Sequence, residues 1–242
     1  MSLGMFCAIP VRYREWDDAC ANLMLPCFPL VGAIIGALWW GAAEVLLFSG
    51  VHAVLAAAAL TVFPFLATGF LHLDGYMDTS DAVLSRRSLE ERLRILKDPG
   101  VGAFAVVMIA VLFLLQFAAA YAAVDGGKCF AALIAVAVLS RCCAAMALLC
   151  AKVIPGSGYA NAFRQKTGTA HKIWILFLAV LGFAAACLLA GVAGLIAAVC
   201  AALGTIAATA YAYRKLEGVS GDVAGYAIAL GELCGLIALA VA

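Results

Sequence analysis

Charge is scarce in this 242-residue chain. Only 12% of its residues are Asp, Glu, Lys or Arg, while 67% are hydrophobic and the mean hydropathy is +1.11. Soluble domains carry about 25% charge, so the shortage excludes one and matches a chain built for the bilayer interior. A net charge of +1 offers no basic surface of the kind nucleic acid requires, and no nucleic-acid partner is expected. No run of Pro, Ser or charge is long enough to act as a linker, so residues 1–242 read as a single membrane domain. CxxC spacing is missing among the ten cysteines. Cys142, Cys143, Cys150, Cys187, Cys200 and Cys234 fall in apolar runs, where they read as small core residues. His52 and His72 have no second His or Cys at ligand spacing, which argues against zinc.

What the chain does have is long apolar runs, seven of them: about 30–48, 51–73, 103–124, 129–151, 173–190, 192–213 and 223–242. Backbone amides and carbonyls find no water in hydrocarbon, so each run is expected to be a helix. The expected fold is all-α, a polytopic integral membrane protein of about seven transmembrane helices in contact with the lipid bilayer. Ala- and Gly-rich stretches such as GFAAACLLAGVAGLIAAVCAALG suggest close helix packing through small faces. Between the fifth and sixth runs only Gly191 and Gly194 mark a turn. Thirteen of the fifteen Lys and Arg residues lie in alternate loops, near Arg12 and Arg14, 86–97, 152–172 and 214–215. Positive residues collect on the cytoplasmic side, which predicts a cytoplasmic N-terminus and an external C-terminus. The first apolar run starts too late, and lacks the small-residue cleavage site, to be a removable signal.

One stretch breaks the apolar pattern. In HLDGYMDTSDA, residues 72–82, Asp74, Asp78 and Asp81 are spaced i, i+4, i+7 and so share one helical face. Three like charges in adjacent turns need a compensating cation. Hard oxygen donors at that spacing suit Mg2+ or Mn2+, which keep waters and substrate phosphate oxygens in their other positions. Gly75 is expected to leave backbone room for a ligand. The plainer alternative is a solvated helix end, though such an end more often mixes acids with Lys and Arg.

Arg86, Arg87, Arg92, Arg94 and Lys97 follow directly, in SRRSLEERLRILKDPGVGAFA. Singly, each fits attraction to lipid headgroups as well as catalysis. Together with the acids they resemble a phosphoryl-transfer site, where metal and cations neutralise the transferred group. Deeper in, Arg141 and Glu232 each lie ten residues from the nearer cytoplasmic span end, about 15 Å into the membrane. A lone charge there costs at least about 2.5 kcal/mol, so each is expected to find a partner: the other at equal depth, or else backbone carbonyls, water or other polar residues of a cavity, Glu44 being a further intramembrane acid.

HLDGYMDTSDA followed by RLRILKDPGVGAFA closely resembles the signature of the adenosylcobinamide-GDP ribazoletransferase (cobalamin synthase) family of the bacterial inner membrane. FCAIPV, PLVGAIIGALW, Ser140-Arg141, IPGSGYANAF and SGDVAGYAIALGE extend the likeness over nearly the whole chain. The resemblance implies a Mg2+-dependent transfer, with Mn2+ as the other metal considered. In it a ribose hydroxyl of α-ribazole, or of its 5′-phosphate, attacks the cobinamide phosphate of adenosylcobinamide-GDP and GMP leaves. It implies Asp74, Asp78 and Asp81 as metal ligands and Arg94, Lys97 and Arg164 as phosphate contacts, with Arg141 and Glu232 counted among the substrate-binding residues. Asp98 and Asp222 both remain candidates for accepting the hydroxyl proton. Two rivals come from other classes. A CDP-alcohol phosphotransferase needs Ala-Arg where Asp78 and Thr79 stand. An ion-coupled transporter keeps its acids near the midplane of broken helices rather than at a helix end.

Overall fold

The computed structural model describes residues 1–10, 17, 20–164 and 167–242. Arg12, Arg14 and Lys166, part of the expected cytoplasmic charge, lie outside them. The apolar runs are helical over most of their length. The elements are α1 (Ser2–Phe6), a 3-10 turn (Ala21–Leu23), α2 (Met24–Phe48), α3 (Ala53–Ala67), α4 (Leu71–Leu84), α5 (Leu89–Ile95), α6 (Ala103–Asp125), α7 (Ala132–Cys150), α8 (Gly158–Arg164), α9 (Thr169–Leu216) and α10 (Gly221–Val241). Among the described residues the only extended pairing is an isolated bridge, Val153 to Val219.

Five of these helices are long and apolar enough to cross a membrane, and α3 with α4 makes a sixth if the bent pair is one span. The second apolar run is therefore not the single straight helix expected over 51–73. The chain turns by 91° between α3 and α4. Gly69 explains the bend: at φ +60° it ends α3, its amide bonding the Leu66 carbonyl while the Phe70 amide bonds that of Phe65. This is the Schellman arrangement, which favours glycine because a Cβ is disfavoured in the left-handed region.

A second break divides α9. As one rod its 48 residues would run about 72 Å, more than twice the hydrocarbon thickness. Ala190 and Gly191 leave helical geometry, at the boundary marked in the sequence by glycine. The limb 192–216 then runs back along 169–189, so that Ile175 and Ala179 line a common hollow with Ile206 and Ala210. α9 enters the count of five once, as a single 48-residue helix. Gly191 sits at φ +60°, ψ −148°, a region open essentially to glycine alone, although a Cβ there would meet nothing. Gly191→Ala should thus lower stability by about 1–3 kcal/mol through backbone strain, read as thermal unfolding of detergent-purified protein.

Glycines also set the helix crossings. On α2, a Cβ at Gly36 would lie 2.6 Å from the Ile134 Cα of α7, and one at Gly32 would lie 2.5 Å from the Ala137 carbonyl oxygen. Helices approach this closely only through small residues, which hydrocarbon surroundings favour because dispersion between backbones replaces the missing hydrophobic drive. α10 is the central helix, packed on α4, α6, α7 and α9. At one end of the bundle three connecting segments meet. Lys97 Nζ donates to the Pro155 carbonyl at 3.0 Å, Arg92 Nη1 donates to the Lys215 carbonyl at 3.2 Å, and the Val153–Val219 bridge joins the α7–α8 and α9–α10 connections. The described basic residues of 86–97, 152–172 and 214–215 belong to these segments and the helix ends beside them. The same end carries Asp222.

Candidate active site

The three aspartates of α4 do different things. Asp74 is exposed, Asp78 half-buried and Asp81 buried. Both Asp81 oxygens face the start of α6: Oδ2 accepts from the Gly102 amide at 2.7 Å and Oδ1 from the Ala105 amide at 3.0 Å. Asp81 is thus a capping carboxylate, satisfying amides that have no partner within the helix and complementing its positive end. Gly102 must be glycine here, since a Cβ would lie 2.5 Å from the Asp81 carboxylate. This departs from the expectation of three equivalent ligands, because a carboxylate already holding two amides has less to offer an ion. Asp81→Ala should cost about 1–2 kcal/mol of stability, seen as a lowered thermal midpoint, by leaving the two amides without their acceptor.

The place left by Asp81 is taken by a residue of the last helix. Ser220 caps α10, its hydroxyl accepting from the Val223 amide at 3.3 Å and donating to Asp222 Oδ2 at 3.2 Å. α10 then crosses α4 where both present glycine. A Cβ on Gly75 would stand 2.8 Å from the Cα and carbonyl oxygen of Asp222, and one on Gly225 would stand 3.0 Å from the His72 carbonyl oxygen. The room expected beside Gly75 is therefore filled by α10 backbone rather than by a ligand. Tyr76 and Tyr226 stack across the same contact, ring centroids 5.5 Å apart. The crossing brings Asp222 to the acids of α4, so that Asp74, Asp222 and Asp81 all act on the charge of Asp78. Among the described residues no Lys, Arg or His pairs with Asp74, Asp78 or Asp222; the one ion pair is Arg141–Glu232. Asp74 and Asp222 also share the wall of a cavity of about 280 Å³.

The other expected site residues divide. Asp98 holds the Gly100 amide at 2.8 Å and lines a separate hollow of about 440 Å³ with Asp81 and Arg87, so the two base candidates do not share a cavity. Lys97 and Arg164 spend donors on backbone, the latter giving Nη1 to the Ala151 carbonyl at 2.8 Å, and both tie loops at the site's end of the bundle. Arg94 is exposed on α5. Arg141 and Glu232 are partners, 2.5 Å apart with 0% and 4% of their side chains exposed. Glu44 instead accepts from Trp40 Nε1 at 2.8 Å. Ser220, Gly225 and His72 were not anticipated; the glycine following Asp74 and that three residues beyond Asp222 were the available signal.

Comparison with known proteins places this arrangement. The family model described as cobalamin-5-phosphate synthase matches residues 1–240. The chain belongs to that family. It is similar to a protein of Clostridium perfringens (strain ATCC 13124 / DSM 756 / JCM 1290 / NCIMB 6125 / NCTC 8237 / Type A), 37% identical over 100% of this chain and 96% of the relative. A protein of Clostridium botulinum (strain Alaska E43 / Type E3) is 36% identical over 98% and 94%. One of Lachnoclostridium phytofermentans (strain ATCC 700394 / DSM 18823 / ISDg) is 32% identical over 100% and 92%. All three are named adenosylcobinamide-GDP ribazoletransferase. No solved structure shows significant similarity.

In this cobalamin-5-phosphate synthase family member the residues suit a hard divalent ion in kind. Carboxylates of two helices meet there, and no Lys, Arg or His among the described residues pairs with them. Among the described residues, however, no group of three or more His, Cys, Asp or Glu side chains is arranged to hold a metal ion by itself. Mg2+ is commonly held by one or two carboxylates together with water and substrate phosphate oxygens, and Asp74, Asp78 and Asp222 are oxygen donors of that kind.

Proposed function

We propose that the protein is an adenosylcobinamide-GDP ribazoletransferase working at the α4–α10 crossing. It acts in cobalamin biosynthesis, as its relatives' shared name indicates. The observation that carries the site assignment is the meeting of Asp74, Asp78 and Asp222 across Gly75 and Gly225, where no Lys, Arg or His among the described residues pairs with them. Asp74 and Asp78 would hold Mg2+, or Mn2+ in its place, which supplies charge neutralisation at the phosphates and orients them. Asp222, whose Oδ2 accepts from Ser220, would take the proton of the attacking ribose hydroxyl. The hydroxyl oxygen of α-ribazole, or of its 5′-phosphate, bonds to the phosphorus carried by cobinamide; the bond from that phosphorus to the bridging oxygen breaks and GMP leaves. No covalent nucleophile is needed, since one phosphate ester linkage replaces an anhydride. Asp98 would be the base only if the hollow it lines received the hydroxyl.

The gathering of the described basic segments at the site's end supports a cytoplasmic site in the bacterial inner membrane, because positive loops stay inside. Arg87, Arg92 and Arg94 would add positive potential for a nucleotide substrate there. The test is GMP release by purified, bilayer-reconstituted protein given adenosylcobinamide-GDP. Release should begin on addition of α-ribazole or its phosphate and be absent without it. Failure of both acceptors to elicit GMP would refute the reading.

A further inference from the structure

The cavity that Asp74 and Asp222 share is polar only on that side. Its remaining walls come from α1, α2, the start of α4, α7, α8 and the first two turns of α10, and include Phe6, Phe28, Phe163, Leu25 and Leu148. The aromatic rings are linked. Phe163 meets Phe6 edge-on with centroids 6.2 Å apart, Phe6 lies 4.4 Å from Phe28, and Phe28 meets the His72 ring edge-on at 5.9 Å. The row ends two residues from Asp74. His72 is buried, and its Nε2 has no hydrogen-bond partner among the described residues. Phe6, Phe28 and Phe163 are themselves almost wholly buried, at 8%, 3% and 4% exposure.

We infer that this cavity is the acceptor subsite, in which the row Phe163–Phe6–Phe28–His72 receives the base of ribazole and leaves its ribose at Asp74 and Asp222. The inference rests on the transferase reading and adds to it where, and by what chemistry, the acceptor is chosen. Ribazole is a ribonucleoside whose base is a dimethylated benzimidazole: flat, bicyclic and almost wholly apolar, with one unsubstituted ring nitrogen. Aromatic walls bind such a face through dispersion and ring quadrupoles, and the two methyl groups add apolar area. His72 is the one polar side chain among the rings, and the free ring nitrogen is the one polar group of the base. Guanine fits these walls poorly, because its amide and amino edge would be buried against phenylalanine and leucine without partners. The corrin macrocycle is excluded by size, since about 280 Å³ is at the small end of ligand pockets. An anionic lipid would set its headgroup against two carboxylates with which no cation among the described residues pairs.

Two measurements on reconstituted full-length protein decide the matter. In the first, free 5,6-dimethylbenzimidazole is titrated into the wild-type reaction; it should inhibit competitively against α-ribazole and non-competitively against adenosylcobinamide-GDP. In the second, Phe28→Leu and Phe6→Leu should each raise KM for α-ribazole about tenfold, the scale of one lost aromatic contact, and leave KM for adenosylcobinamide-GDP within about twofold. The unchanged second KM also certifies that a variant is folded, and the wild-type inhibition stands without any variant. Competition against adenosylcobinamide-GDP, or no inhibition, overturns the assignment, as does an unaltered ribazole KM in both active variants. An active wild type giving those results removes the subsite alone. A wild type that releases no GMP removes the transferase reading and the subsite with it.

Discussion

Asp78→Asn should reduce turnover by at least about a thousandfold, equivalent to about 4 kcal/mol of transition-state stabilisation. Asparagine keeps the size and leaves one oxygen, so α4 and its contact with α10 persist. What disappears is one charge of the set that a divalent ion needs. The same substitution relieves repulsion, because Asp74, Asp222 and Asp81 crowd the Asp78 carboxylate. Thermal stability without substrate should therefore be unchanged or raised while activity is lost. That pair of readouts separates a functional carboxylate from a structural one, whose removal would lower both. Asp74→Asn should behave alike. Asp81→Ala should behave oppositely, losing stability first. Near-normal turnover by Asp78→Asn at saturating Mg2+ would contradict the assignment.

The second large effect lies inside the bundle. Arg141 of α7 and Glu232 of α10 form an ion pair with Arg141 also donating to the Ala137 carbonyl at 2.9 Å, beneath α2 at Gly32. Nε and Nη2 of Arg141 have no partner, so Glu232 is its only charged compensation among the described residues. Removing either member strands the other, and a stranded buried charge costs about 3–5 kcal/mol. Arg141→Ala and Glu232→Ala should each lower the unfolding midpoint strongly, and the double variant should lose clearly less than the sum. Additive losses would show that the two charges do not interact. The pair ties α10 to α7 far below Asp222, so the single variants should also impair turnover through misplacement of α10.

How much of this was legible in the sequence follows from what each residue depends on. The pairing of Arg141 with Glu232 could be read because depth in a membrane is set by counting residues along a helix. The division of α9 could be read because Gly191 interrupts an apolar run too long for one span. The shared face of Asp74 and Asp78 is local geometry. By contrast the bend at Gly69 was hidden within a continuous apolar stretch, where one glycine adopting φ +60° leaves no trace in hydropathy. The diversion of Asp81 depends on where α6 begins in space, twenty-one residues from Gly102 along the chain. The ties of Lys97 to Pro155 and of Arg164 to Ala151 are side-chain to backbone contacts, which no spacing of charges encodes. Asp222 could be named as a candidate base, yet its meeting with Asp74 required two glycines on different helices to coincide.

The central claim is that these carboxylates work through a divalent ion on phosphate. It is tested most directly by following ribazole-dependent GMP release from reconstituted protein as Mg2+ is withdrawn by chelation and then restored. Release should fall to background in chelator and return in full on adding Mg2+, while Asp78→Asn should show no such recovery at any Mg2+ concentration. Undiminished release from wild-type protein in excess chelator would contradict it.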